Sequence, residues 1–252
     1  MAKLYYKNED LVLVIAKQGI PKTDLIRQIV KVLNSTSEYN SISIIKEGRH
    51  PILKTRIGNL RLECYINRLD LIEESNEVAK NMKAWPEAYY LTYFMLMFLK
   101  QRDLNNVAQG GVTLFVLHCL TVAFVKHYKK RIASRGPKDL ENALLSEYCL
   151  KFLEFYGLQF DNSKLKLVLG SSDTDKDSGF VEKTNSRDNS FNLFYPQISH
   201  ADLGSSAFKV REVFNCLKNR YFFMTNYNFI HGESIMKYLV NPSKTDFSIY
   251  LK

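Results

Sequence analysis

The chain has 252 residues, with 46% hydrophobic and 24% charged content. These are globular proportions, which exclude wholesale disorder and leave room for one large domain or two small ones. The net charge of +9 suits a polyanionic partner, nucleic acid or a lipid surface, although a protein that merely carries many lysines has the same balance.

Residues 10–15 form a short β-rich run that predicts a buried strand. A helix is expected over Thr23–Leu33, with Thr23 as its N-cap and Leu25, Ile26, Ile29, Val30 and Leu33 on one face. Three strands follow, Ile42–Lys46, Ile52–Ile57 and Arg61–Ile66, with Gly58–Asn59 as a hairpin turn. From about Glu73 the pattern turns helical. Pro86 is placed to open a long helix reaching Arg102, because its ring presets the first-turn geometry. A loop at Asn105–Gly111 leads to an apolar helix, Val112–Tyr128.

Residues 129–138 read as a basic linker, and Leu140–Tyr156 as an amphipathic helix ended by Gly157. The polar stretch 171–190 is expected to be a flexible insertion, and a last helix is expected over Ser206–Arg220. Residues 1–72 would then be a sheet domain and 73–252 a helical one.

The apolar runs 88–99 and 112–125 are shorter than the roughly 18 residues a membrane span needs, so no membrane segment is expected. The four cysteines, Cys64, Cys119, Cys149 and Cys216, form no CxxC or Cys/His cluster, which argues against a structural zinc site. Three of them lie in apolar stretches and read as core thiols in a reducing compartment. The charged N-terminus, with no apolar block ahead of a cleavage site, predicts no signal peptide.

Four stretches, taken in order, resemble the non-canonical poly(A) polymerases of the TRAMP type, within the DNA polymerase sigma and terminal nucleotidyltransferase group. Arg49–Asn67 is similar to the family's Arg-x-Pro-Ile-x-Lys strand and the partner strand that ends in Asp-x-x-x-Asn. Arg102–Phe115 resembles its Arg-x-Leu-Asn-Asn-Val loop with a Gly-Gly turn. Glu141–Phe160 resembles the helix of the poly(A)-polymerase-associated domain that ends in Tyr-Gly, and Tyr195–Phe208 resembles the nucleotide recognition motif more weakly.

The resemblance implies an α+β fold: a small mixed-sheet, polymerase-beta-like nucleotidyltransferase domain followed by a helical poly(A)-polymerase-associated domain. A cleft between the two parts is expected, faced by Asp10, Glu63 and Asn105. The implied activity is RNA 3′-end adenylyl transfer in exosome-linked RNA surveillance. It would use ATP with Mg²⁺ or Mn²⁺, in the nucleus, beside a zinc-knuckle RNA-binding protein and an RNA helicase.

Such chemistry needs three carboxylates, two of them an Asp-x-Asp pair that shares one strand face. By resemblance Asp10 and Glu63 are the catalytic and metal-binding carboxylates, while Val12 stands at the second Asp position and cannot ligate. The family's Gly-Ser phosphate turn is replaced by Asn8–Glu9, and a phosphate-contacting lysine of the long helix by Leu96. By the same resemblance, the helical segment that precedes the Gly-Ser turn in the family is expected to be missing. Nucleoside binding falls to Asn105, Gly110, Gly111, Asp202 and Gly204; the base-stacking aromatic is not evident where Phe160 runs into Asp161–Asn162.

The same residues also have plainer readings. Glu63 could be a solvated strand residue opposite Leu62, Cys64 and Ile66, and His118 a satisfied core histidine. The basic run Lys126–Arg131 could track RNA or merely be solvated, and the aromatics of 221–229 could stack bases or simply pack. Two functions of different class therefore stand. One is an adenylyltransferase with weak or lost catalysis. The other is a pseudo-polymerase scaffold that holds RNA or protein partners.

Overall fold

The computed structural model describes residues 11–15, 19–35, 39–45, 52–57, 60–134, 136, 143–170, 179–184, 190–226 and 239–240. They fall into two compact units, the first ending at Ala79 and the second beginning at Lys80.

The first unit is built on four strands: β1 (Leu11–Ile15), β2 (Tyr39–Ile45), β3 (Ile52–Ile57) and β4 (Leu60–Ile66). They form one mixed sheet in the order β1-β4-β3-β2, with β1 and β4 parallel and the other pairs antiparallel. Alternation along β4 sends Leu62, Cys64 and Ile66 into the core and leaves Glu63 and Tyr65 on the opposite face. On the core side the helix α1 (Lys22–Ser35) lays down Leu25, Ile26 and Leu33. The parallel ladder ends where the Asn67 amide donates to the Ile15 carbonyl at 2.9 Å. The Ile57–Leu60 pairing leaves two residues for the β3–β4 connection, and the expected turn Gly58–Asn59 lies outside the described residues.

Helix α2 (Leu69–Ala84) carries the chain into the second unit. There α3 (Pro86–Lys100) does begin at Pro86, and α4 (Leu114–Ala133) is capped by the Thr113 side chain, which accepts from the Val116 amide. After α5 (Leu145–Glu154) comes a π-helical turn, Phe155–Gln159. Three short strands then make a second sheet in the order β6-β5-β7: β5 (Leu165–Val168), β6 (Phe180–Glu182) and β7 (Leu193–Phe194). Helix α6 (Val210–Asn226) follows. The core of this unit is aromatic. Tyr156 is fully buried, stacks on Phe214 at 5.6 Å and donates its hydroxyl to the Leu120 carbonyl at 2.8 Å.

Several boundaries differ from the sequence reading. Thr23 lies inside α1, which starts at Lys22 directly after Pro21, so it is not the N-cap. The basic stretch after Tyr128 is not a linker at its start, because α4 continues to Ala133. Helix α5 starts at Leu145 rather than Leu140, since Leu144 is extended and 67% exposed. Gly157 does not end a helix. It lies within the π turn, where a Cβ would come within 2.7 Å of the Lys218 backbone, so it is the small residue that lets α6 approach. Part of the expected insertion is strand β6, whose Phe180 packs against His127 and Phe155. The last helix begins at Val210, not Ser206.

His118 is the core residue the sequence placed it as, 3% exposed, but its Nε2 has no hydrogen-bond partner among the described residues, so it is not fully satisfied. Burial pushes its pKa down to about 4, from 6.5. The unfolded chain therefore binds a proton below about pH 6.5 that the folded chain refuses until about pH 4. Stability should be fully present above that window and fall by about 3 kcal/mol as pH drops through it. Denaturant melts between pH 7 and 4 should show this fall in the unmodified chain and a flatter profile in His118→Leu.

Candidate functional site

The register of the first sheet sets the neighbourhood of Glu63. On one side it is paired with Lys54 of β3 and on the other with Val12 of β1. The Glu63 side chain is 14% exposed. One of its oxygens forms an ion pair with Lys54 Nζ, and the other accepts from the Tyr65 hydroxyl at 2.8 Å. It is thus neither a solvated strand residue nor an open carboxylate, because both oxygens are engaged within its own sheet.

A cation would have to displace Lys54 to reach it, and the two strand positions paired with Glu63 are held by Val12 and Lys54, neither of them a carboxylate residue. Asp10, Asn8 and Glu9 lie outside the described residues. Among the described residues no group of three or more His, Cys, Asp or Glu side chains could hold a metal. Among the described residues, the donors around Glu63 do not fit a two-metal site.

Next to Glu63, beyond the sequence prediction, lies a second charged group. Arg68 grips Asp70 through its Nε and Nη2, with bonds of 2.5 to 2.9 Å, and its guanidinium lies 5.9 Å from the Tyr65 ring centre. Glu74 belongs to the same group; burial, aided by the charge of Asp70, pushes its pKa up to about 7. No motif marks Glu74, because its burial comes from tertiary packing.

In the second unit the loop after α3 closes on itself. The Val112 amide donates to the Leu104 carbonyl at 2.9 Å, and the Gly111 amide to the Asn106 carbonyl at 2.8 Å. Asn106 caps the short 3₁₀ turn Val107–Gln109 by accepting from the Ala108 amide. Gly110 sits at φ +81°, with the Phe208 ring where a Cβ would be, and its carbonyl accepts from the Lys209 amide at 2.9 Å. A Cβ on Gly111 would stand 2.6 Å from both the Leu104 carbonyl oxygen and the Asn106 nitrogen.

The two glycines therefore serve loop closure first. Asn105, half-buried, is carried on this frame. Gly111→Ala should lower stability by about 1–3 kcal/mol, since backbone atoms cannot step aside. A melting temperature equal to that of the unmodified chain would refute the packing.

Asp202 organises a turn. Its carboxylate accepts from the amides of Leu193 and Gly204, each at 2.8 Å, and from Asn192 Nδ2 at 2.9 Å. Gly204 is buried, with a Cβ position only 2.7 Å from the Phe191 carbonyl oxygen. Leu96, at the family's lysine position, is 5% exposed in α3. Phe160 is buried among Phe155, Tyr156, Phe180 and Phe214 and offers no face to a ligand.

Within the basic run, Lys126 and Lys129 both lie over the Trp85 ring, at 5.5 and 5.4 Å, and Lys129 pairs with Glu87 at 2.7 Å. Lys130 and Arg131 are exposed. Of the aromatics in 221–229, Tyr221 and Phe222 are tilted against each other with ring centres 5.9 Å apart, and residues 227–229 lie outside the described set.

The mixed sheet followed by a helical unit defines a polymerase-type nucleotidyltransferase fold. The fold matches the polymerase core of TRAMP, an RNA surveillance complex, with a TM-score of 0.71 at 21% identity over 94% of this chain and 78% of that one. It also matches the Cid1 poly(U) polymerase bound to MgGTP, with a TM-score of 0.67 at 13% identity, over 92% of this chain and 81% of that one.

In sequence the chain is 26% identical to the poly(A) RNA polymerase CID14 of Cryptococcus neoformans over 87% of its length and 29% of the relative's. Against poly(A) RNA polymerase protein 1 of Eremothecium gossypii the identity is 24%, over 97% of this chain and 42% of the relative. The cid14 protein of Schizosaccharomyces pombe is 29% identical over 63% of this chain and 23% of its own. No protein-family model matches. The chain is similar in sequence to poly(A) RNA polymerases, and it spans less than half the length of these curated relatives.

Proposed function

We propose that this chain is an RNA 3′-end-binding member of the adenylyltransferase group in which nucleotide transfer is weak or lost. The observation that carries this reading is the register at Glu63. The strand position beside it holds Val12, and the opposite neighbour, Lys54, neutralises the carboxylate. The described donors do not suit a pair of divalent metal ions.

What this chain's residues can do is bind. The second unit supplies Asn105 on a rigid loop and exposed cations such as Lys130 and Arg131, and the whole chain carries +9. A polyanionic strand is the partner such a charge attracts. In this reading the chain serves as an RNA-holding component of a surveillance assembly like TRAMP. It would act in the nucleus, in company with a zinc-knuckle protein and a helicase, while ATP and Mg²⁺ or Mn²⁺ would matter only to residual transfer.

The reading predicts binding of a 5′-labelled oligoadenylate, measured by anisotropy, that weakens steeply with salt as counterions are released. Absence of binding at low salt would overturn it.

A further inference from the structure

We infer that the exposed ring of Phe208 is a stacking platform for an unpaired base of single-stranded RNA. The inference rests on the RNA-binding function proposed above and names the residue that performs it.

Phe208 is 71% exposed, while the residues beside it are held firmly. Its Cδ2, Cε2 and Cζ atoms lie where a Cβ of Gly110 would be, so one part of the ring rests on a glycine backbone. The next residue, Lys209, donates its amide to the Gly110 carbonyl at 2.9 Å, which fastens the Phe208 segment to the loop. The Ala207 amide bonds back to the Gly204 carbonyl at 2.9 Å, and Ala207 is itself buried. The ring is therefore an apolar surface in water on a backbone fixed at both sides. An aromatic held in this way loses little conformational freedom when a flat ligand covers it.

Its surroundings indicate the ligand. The loop beneath it carries Asn105, whose amide can both donate to and accept from a nucleobase edge or a sugar. Lys209 and Arg211 follow it in the chain and bring positive charge to the same segment. A flat apolar area resting on a loop that carries an amide, in a segment that carries two cations, suits a base with its phosphate. An open ring accepts the bases of a flexible strand, whereas a free nucleotide is usually bound in a concave pocket that buries most of it. The aromatic sought near the Tyr-Gly pair cannot take this role, because Phe160 is buried. Phe208 supplies the missing π-face from a different part of the second unit.

The test compares the full chain with Phe208→Ala and Phe208→Trp. The RNA is a short labelled oligoadenylate carrying one 2-aminopurine, and ATP alone is titrated in parallel. The ring is exposed, so both variants should melt with the unmodified chain. Phe208→Ala should weaken RNA binding about tenfold and remove the stacking quench of 2-aminopurine. Phe208→Trp should keep both, and ATP affinity should be the same in all three proteins.

Unmodified RNA affinity and quench in Phe208→Ala would overturn the platform while leaving the proposed RNA function intact. Loss of ATP affinity without loss of RNA affinity would overturn it in favour of a nucleotide subsite. Failure of the unmodified chain to bind RNA would overturn the platform and the proposed function together.

Discussion

Val12→Asp should raise the rate of RNA tailing by at least about 100-fold over the unmodified chain. The sheet register puts residue 12 of β1 beside Glu63 of β4, so the substitution adds a carboxylate at the strand position next to an existing one. Carboxylates at paired positions of neighbouring strands lie on one face of the sheet, the arrangement a pair of divalent ions requires. Restoring a preorganised electrostatic group at a reacting phosphate contributes on the order of 2.7–4 kcal/mol, or about 10²–10³ in rate.

Primer extension with ATP and Mn²⁺ reads the effect, and Val12→Asn, similar in shape but uncharged, should stay as slow as the parent. A Val12→Asp protein that remains folded and no faster than the parent would show that residue 12 is not the limiting defect. The lysine position of the long helix is not a useful companion change. Leu96 is buried, and an ammonium placed there would cost several kcal/mol in stability.

Tyr156→Ala should cost about 3–5 kcal/mol of stability, the usual range for removing a large aromatic from a core. Tyr156 links the elements of the second unit. Its ring stacks on Phe214 of α6 and packs against Phe152 of α5 at 4.8 Å, while its hydroxyl reaches the Leu120 carbonyl of α4. Tyr156→Phe keeps the ring and loses only the hydrogen bond, so it should cost about 1 kcal/mol. Urea denaturation of the three proteins separates the two contributions. A Tyr156→Ala loss no larger than that of Tyr156→Phe would contradict the packing.

Part of this architecture was legible in the sequence because its signals are periodic. Leu62, Cys64 and Ile66 alternate with Glu63 and Tyr65, and that period of two gave both the strand and its buried face. Pro86 announced the start of α3 for the stereochemical reason that applies at any first turn. The second sheet was missed because β5, β6 and β7 have four, three and two residues, too few for alternation to register.

Gly157 was misread because a glycine after a helix commonly adopts a left-handed cap. Here the constraint is the Lys218 backbone, which is distant in sequence. The site divides in the same way. The identity of residue 12 could be read directly, but the engagement of Glu63 by Lys54 and Tyr65 depends on strand register and a hydrogen bond. Phe208 looks like any aromatic in the sequence, and only the fold shows it exposed on Gly110.

The most direct measurement is an extension time course of a 5′-labelled RNA by the purified, unmodified chain, with each nucleotide in turn and with Mg²⁺ or Mn²⁺, under conditions where anisotropy shows the RNA to be bound. The bound RNA should change little or not at all in length. Rapid addition of nucleotides to the bound RNA would contradict this and show that the carboxylates present suffice for catalysis.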